Sequence, residues 1–275
     1  MKEACFSNLI KIGDGKMGQL WQGQYKQPRD HKTIDVIVRK LRTDTRTCVI
    51  SEFRNQMNSL RSLKHPNIEQ IVCVSLMSEV PFMAFDGRHK TDLKEYIFDN
   101  EKISPALLLN FLNQISAGLE YLHQHKILHK DLAARNCFIT DEGVVYISKS
   151  GLGMYRYPND YVNLSGQGLS PVRWLSPETL NSGIYRMSTD VYMFGVLVWE
   201  LFSSGERPFD EYTDNDAIQE IINENRLICP GTCPAQIWNI VEQCWVVPGC
   251  QRPSSVWIRR NLRVLTSELN TSPVA

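Results

Sequence analysis

A change of hydrophobic period near residue 90 restricts this chain more than any other feature. Before it, residues 6–41 run in short strand-like stretches, with Val36, Ile37 and Val38 as a β-branched run and glycines punctuating Gly13 to Gly23. Next, Ile50, Phe53, Met57, Leu60 and Leu63 recur at three- and four-residue steps, which places them on one face of a helix ending near His65-Pro66. After Asp92 the period stays helical. Leu108, Phe111, Leu112, Ile115, Leu119 and Leu122 form one long amphipathic stripe. Further helices are expected through Val191-Phe194-Val198-Leu201, through Ile237-Ile240-Val241-Cys244 and from Trp257 to Leu269. A β-rich first lobe with one helix, residues 1–88, should therefore precede an α-helical second lobe, residues 89–275.

Composition excludes several partners. The 275 residues carry 30 basic and 30 acidic side chains, which leaves no basic footprint for nucleic acid or lipid headgroups. Eight cysteines lie between Cys5 and Cys250 without a CxxC pair, as suits buried thiols in a reducing compartment better than a disulfide framework. Cys229 and Cys233 are close but lack the neighbouring histidines of a zinc site. The longest apolar run, Val191 to Phe202, contains Glu200 and is too short to cross a bilayer, and the start Met-Lys-Glu-Ala has no secretory signature. A cytoplasmic chain is expected.

Gly13-Asp14-Gly15-Lys16-Met17-Gly18 fits G-x-G-x-x-G, where absent side chains let backbone amides approach phosphates. Alone it equally describes a glycine-rich hairpin turn. The block His129-Lys130-Asp131-Leu132-Ala133-Ala134-Arg135-Asn136 is far more specific and resembles the catalytic loop of protein kinases in its tyrosine-kinase form. His65-Pro66-Asn67, Pro171-Val172-Arg173-Trp174, Ser176-Pro177-Glu178, Ser188-Thr189-Asp190-Val191-Tyr192, Cys244-Trp245 and Arg252-Pro253 follow in the order seen in receptor tyrosine kinases. The resemblance covers essentially the whole chain and implies a bilobal α+β fold of the protein-kinase kind.

That family uses three charges which this chain changes. A strand lysine grips the α- and β-phosphates, a helix glutamate holds the lysine, and the D-F-G aspartate binds magnesium. Alignment puts Arg39 at the lysine, with Lys40 facing the other way, and Gln56 at the glutamate; Lys149-Ser150-Gly151 replaces D-F-G. Any one of these alone is ordinary drift. Together they imply a pseudokinase, not an enzyme, without cofactor or metal, in which Asp131 and Asn136 persist as structure and Gly13, Gly15 and Gly18 are vestigial. Bulky Ile37, Phe85 and Phe138 should jointly fill the base pocket. Lys149 is expected to latch onto Asp131, and His129, Glu178, Asp190 and Arg252 to act as scaffold, as in the family.

Tyr155, Tyr157 and Tyr161 are expected on an exposed, phosphorylatable segment. Lys130, the altered D-F-G and the segment from Pro158 to Trp174 resemble the Wnt-receptor pseudokinases of the Ryk/derailed or off-track kinds. This implies the cytoplasmic part of a single-pass receptor, with its membrane helix outside this chain, that acts as a scaffold for signalling proteins and active tyrosine kinases. The alternatives are a weak or metal-independent tyrosine kinase and a nucleotide-sensing switch, since Arg39 and Lys149 could attract phosphates without magnesium.

Overall fold

The β-branched and glycine-punctuated start forms an antiparallel five-stranded sheet. Its strands are β1 (Phe6–Gly15), β2 (Gly18–Lys26), β3 (Thr33–Lys40), β4 (Ile71–Ser75) and β5 (Phe82–Asp86), in the order β1-β2-β3-β5-β4. The computed structural model describes residues 5–15, 18–28, 31–76, 78, 80–87, 91–100, 102–164 and 168–271. The expected lobe boundary at 88/89 and the turn residues Lys16 and Met17 lie outside the described residues.

Strand alternation sorts β3 into two faces. Val36 and Val38 pack outward with Tyr25, Ile34, Cys73, Phe82 and Ala84, which leaves Ile37 and Arg39 on the opposite face, towards the second lobe. Helix α1 (Thr47–Leu60) buries Phe53, Met57 and Leu60 under that same face. Full burial of such side chains contributes about 1.5–3 kcal/mol each, so a short helix with no side-chain cap is held by packing.

The second lobe begins with α2 (Leu93–Asp99), capped by Asp92, whose Oδ1 accepts from the Glu95 amide at 2.9 Å. Next comes α3 (Pro105–Gln124), with Ser104 as N-cap and proline at its first turn. A loop then leads to the hairpin β6 (Cys137–Ile139) and β7 (Val145–Ile147). Beyond it lie α4 (Leu152–Arg156), the strand pair β8 (Val162–Asn163) and β9 (Leu169–Ser170), α5 (Pro177–Ser182), α6 (Met187–Phe202), α7 (Asp214–Ile222), α8 (Ala235–Cys244) and α9 (Ser255–Thr271). Every α6 residue from Thr189 to Phe202 is buried, as expected of the central helix of a helical lobe. Helix α4 has no signature in the sequence, since five residues are too few for a period to show.

The lobes are joined through the turn after α1. Asn67 Nδ2 donates to the Val145 carbonyl at 2.7 Å, and the Ile147 amide donates to the Asn67 carbonyl at 3.0 Å. Gly118 of α3 passes directly beneath, where a Cβ would stand 2.5 Å from the Asn67 carbonyl oxygen. Gly118→Ala is therefore expected to destabilise the chain by about 1–3 kcal/mol through overpacking against backbone, read as a lower melting temperature. An unchanged melting temperature would show that the turn can move aside.

Candidate active site

The loop from His129 to Asn136 is shaped by buried polar groups. Asp190 of α6, fully buried, accepts from the backbone amides of His129 at 2.7 Å and Lys130 at 2.8 Å and lies 3.1 Å from His123 Nε2. Burial opposes ionisation, but these donors hold the carboxyl below its usual range. Lys130 adopts φ +71°, a left-handed turn that carboxylate binding fixes. His129 is buried and neutral, its pKa pulled down to about 3 chiefly by desolvation. Its Nε2 donates to the Ser148 carbonyl at 2.9 Å, and its Nδ1 accepts from the Asp131 amide at 3.2 Å. Further off, Arg252 makes a two-pronged pair with Glu178 at 2.6 and 2.9 Å.

Asp131 is not engaged by Lys149. Its carboxylate takes Arg135 at 2.7 Å on Oδ1 and the Tyr161 hydroxyl at 2.7 Å on Oδ2, while Arg135 Nε donates back to that hydroxyl at 2.8 Å. The Lys149 ammonium instead donates to the carbonyls of Leu128 and His129, both at 2.8 Å. The expected latch is thus corrected: Arg135, four residues along the same loop, reaches the carboxylate first. Tyr161 is corrected too, since it is 6% exposed and its hydroxyl is satisfied internally. An aromatic ring in a polar loop gains more from the catalytic loop than from water. Tyr157 is half-buried and donates to Asp92 at 3.0 Å, while Tyr155 is exposed and leans on Gly13 of the glycine-rich hairpin.

Arg39, Gln56 and Lys149 do come together in one inter-lobe cleft of about 590 Å³, which Gly13 and Gly18 also line. Arg39 Nη1 donates to the Lys149 carbonyl at 3.3 Å, and the Gln56 Oε1 is buried without a partner. Asn136 Nδ2 is spent on the Asp131 carbonyl at 2.8 Å. The magnesium that the family resemblance implies does not fit these residues, because an ammonium stands where its carboxylate ligand should be.

Behind the cleft residues Ser148 to Ser150 lies a carboxyl group that sequence reasoning missed. Glu69 accepts from the Ser148 hydroxyl at 2.6 Å and from the backbone at Lys149 and Ser150, which replaces the anchoring a bulkier residue at Ser150 would give. Burial raises its pKa from 4.5 to about 8 against those hydrogen bonds. Only its place beside His65-Pro66-Asn67 could have marked it.

Of the three side chains expected to fill the base pocket, Ile37 and Phe138 share one cluster and Phe85 lies in another. Ile37 and Phe138 pack with Leu20, Tyr146 and, from α4, Leu152. Phe85 belongs instead to the main core with Met57 and Leu60. Arg156, paired with Asp92 at 2.8 Å, and Tyr157 on the same carboxylate tether α4.

Glu69 gives a pH test. Its folded-state pKa is raised, so folding takes up a proton between 4.5 and about 8, and its contribution to stability declines as pH rises through that window. Glu69→Gln, always neutral, should raise the melting temperature relative to wild type more at about pH 9 than at about pH 4. Equal offsets at both pH values would show that the carboxyl is solvated.

Residues 6–262 match the protein tyrosine and serine/threonine kinase family. The Drosophila melanogaster tyrosine-protein kinase transmembrane receptor Ror is 32% identical over 260 residues, 93% of this chain and 38% of its own length. The Mus musculus proto-oncogene tyrosine-protein kinase ROS is 32% identical over 269 residues, 93% of this chain and 12% of its own. The Rattus norvegicus tyrosine-protein kinase receptor TYRO3 is 30% identical over 272 residues, 94% and 31% respectively. The chain thus spans well under half of each relative's length. The expectation of a chain that is not an enzyme is overturned by these relatives, each named a tyrosine-protein kinase, which points to an enzyme at about 30% identity. Matched along nearly its whole length, the chain belongs to the protein tyrosine and serine/threonine kinase family, among receptor tyrosine kinase domains.

Proposed function

We propose that this chain is a tyrosine-directed phosphotransfer domain, in a closed form that seats its own Tyr161 at the acceptor position, and that it turns over more slowly than its relatives. The supporting observation is the contact of the Tyr161 hydroxyl with Asp131 at 2.7 Å, backed by Arg135 Nε at 2.8 Å. A phenol held on a carboxylate in this way is poised to lose its proton to Asp131 as its oxygen attacks phosphorus. Burial raises the Asp131 pKa against the pull of Arg135 and Tyr161, which makes it a stronger base than an exposed carboxylate.

Two features support the slower rate. The charges that would offset the transferred phosphoryl group are Arg39 and Lys149 instead of a lysine and a bound metal, and each ~1.4 kcal/mol of transition-state stabilisation lost costs tenfold. Leu152 of α4 also packs with Ile37 and Phe138, and in this reading α4 moves aside to admit a nucleoside. The domain is further proposed to be the cytoplasmic part of a single-pass receptor whose partners are tyrosine-bearing signalling proteins. The Wnt-receptor branch rests on Lys130, on Lys149-Ser150-Gly151 in place of D-F-G and on the Pro158 to Trp174 segment. Among the described residues no helix is long and apolar enough to cross a membrane.

Phosphate transfer from ATP to a tyrosine peptide tests this reading. Asp131→Asn should lower the rate by roughly 10²–10⁴-fold, the usual worth of a general base. Tyr161→Phe, which removes a charged hydrogen bond of about 1.5–3 kcal/mol, should raise it about tenfold or more. Transfer indifferent to Asp131→Asn, or none in any variant, would overturn the proposal.

A further inference from the structure

Arg39 projects from β3 into the inter-lobe cleft, and no carboxylate of the described residues lies within ion-pair distance of it. Its contacts are the Lys149 carbonyl at 3.3 Å and the face of Phe53 at 5.7 Å. A guanidinium has five N–H donors, and one is used here. Lys149 lines the same cleft, with two of its three ammonium protons given to the Leu128 and His129 carbonyls. Burial pulls both groups down, Arg39 to about 10 and Lys149 to about 8, the latter also against the favourable charge of Asp190 and with the unfavourable charge of Arg39. Two cations with unused donors therefore meet in a partly dry cleft.

Asp190 favours the Lys149 charge but is itself engaged by the His129 and Lys130 amides and His123, and the other nearby carboxylates have partners of their own or are outnumbered by cations. Asp14 is engaged by Lys11 at 2.9 Å and by Arg42 at 3.1 Å. Asp131 is engaged by Arg135 and Tyr161. Glu52 also lines the cleft, but so do Lys126 and Lys130, and the balance stays positive. The glycine-rich hairpin adds Gly13 and Gly18 to the lining, Gly13 lying under the Tyr155 ring. A flat guanidinium fork beside a point-like ammonium suits several phosphate oxygens at once.

We propose that this cleft binds a polyphosphate group free of divalent metal, gripped between Arg39 and Lys149, and that magnesium opposes the binding. The proposal deepens the phosphotransfer reading by stating the charge form of donor that the site takes. Magnesium removes negative charge from the polyphosphate and brings its own positive charge towards Lys149, which stands where relatives offer a carboxylate.

Inorganic tripolyphosphate is the probe, since it tests the phosphate contacts apart from any contact to a base. Calorimetric titration of the full chain with tripolyphosphate, in EDTA at low ionic strength, should show binding that excess magnesium weakens about tenfold or more. Arg39→Ala and Lys149→Ala should each weaken it by about tenfold, Arg39→Lys should restore most of it, and Arg263→Ala, a change at an exposed site on α9, should leave it unaltered. Should Arg39→Ala fail to fold, Arg39→Gln carries the same expectation. No binding, binding that requires magnesium, or equal binding in all variants would overturn the proposal. The titration contains no tyrosine acceptor and reads no transfer. Metal-free binding without Asp131-dependent transfer would therefore sink the phosphotransfer reading alone, and transfer without metal-free binding would sink this one alone.

Discussion

Asp190 accepts two backbone amides and lies within reach of a histidine ring, all inside the second lobe. A carboxylate without these donors would cost several kcal/mol to bury. With them it ties α6 to the loop that carries Asp131, and through the turn at Lys130 it sets where that aspartate sits. His129 extends the tie by joining the loop to β7 through the Ser148 carbonyl. The position of Lys149 follows, because its ammonium is fastened to the carbonyls of Leu128 and His129. One buried charge thus places both sides of the lower cleft.

The upper side of the cleft obeys a different constraint. Arg39 is held by strand alternation on β3, which turns it inward whether or not a counter-ion is waiting. Gln56 faces it from α1 and offers a neutral amide whose oxygen finds no donor. The family's ion pair is thereby replaced by an unbalanced positive charge, and the lower wall adds a second one.

Occupation of the cleft by the chain itself completes the arrangement. Leu152 packs with Leu20, Ile37 and Phe138, Arg156 and Tyr157 share Asp92, and Tyr161 lies on Asp131. These contacts come from one stretch of about ten residues and are mutually supportive, so releasing one loosens the others. Lys94 and Arg207 on Asp160 strengthen the same stretch from the far side.

The sequence by itself determined the two lobes, since alternation in 33–40 and the stripe through Leu108, Leu112, Ile115, Leu119 and Leu122 are local periodicities that survive into the structure. It also marked Arg39, Gln56, Lys149, Asp131 and Asn136, because fixed spacing within a motif needs no knowledge of packing. The partners of those residues were not legible. Lys149 bonds to carbonyls and not to Asp131, Phe85 serves the main core, Tyr161 is buried and Glu69 joins the site, all through contacts between segments tens of residues apart. Position along a strand or motif is a local property that sequence carries. Which donor reaches a given acceptor first is a competition in three dimensions, and only the tertiary structure decides it.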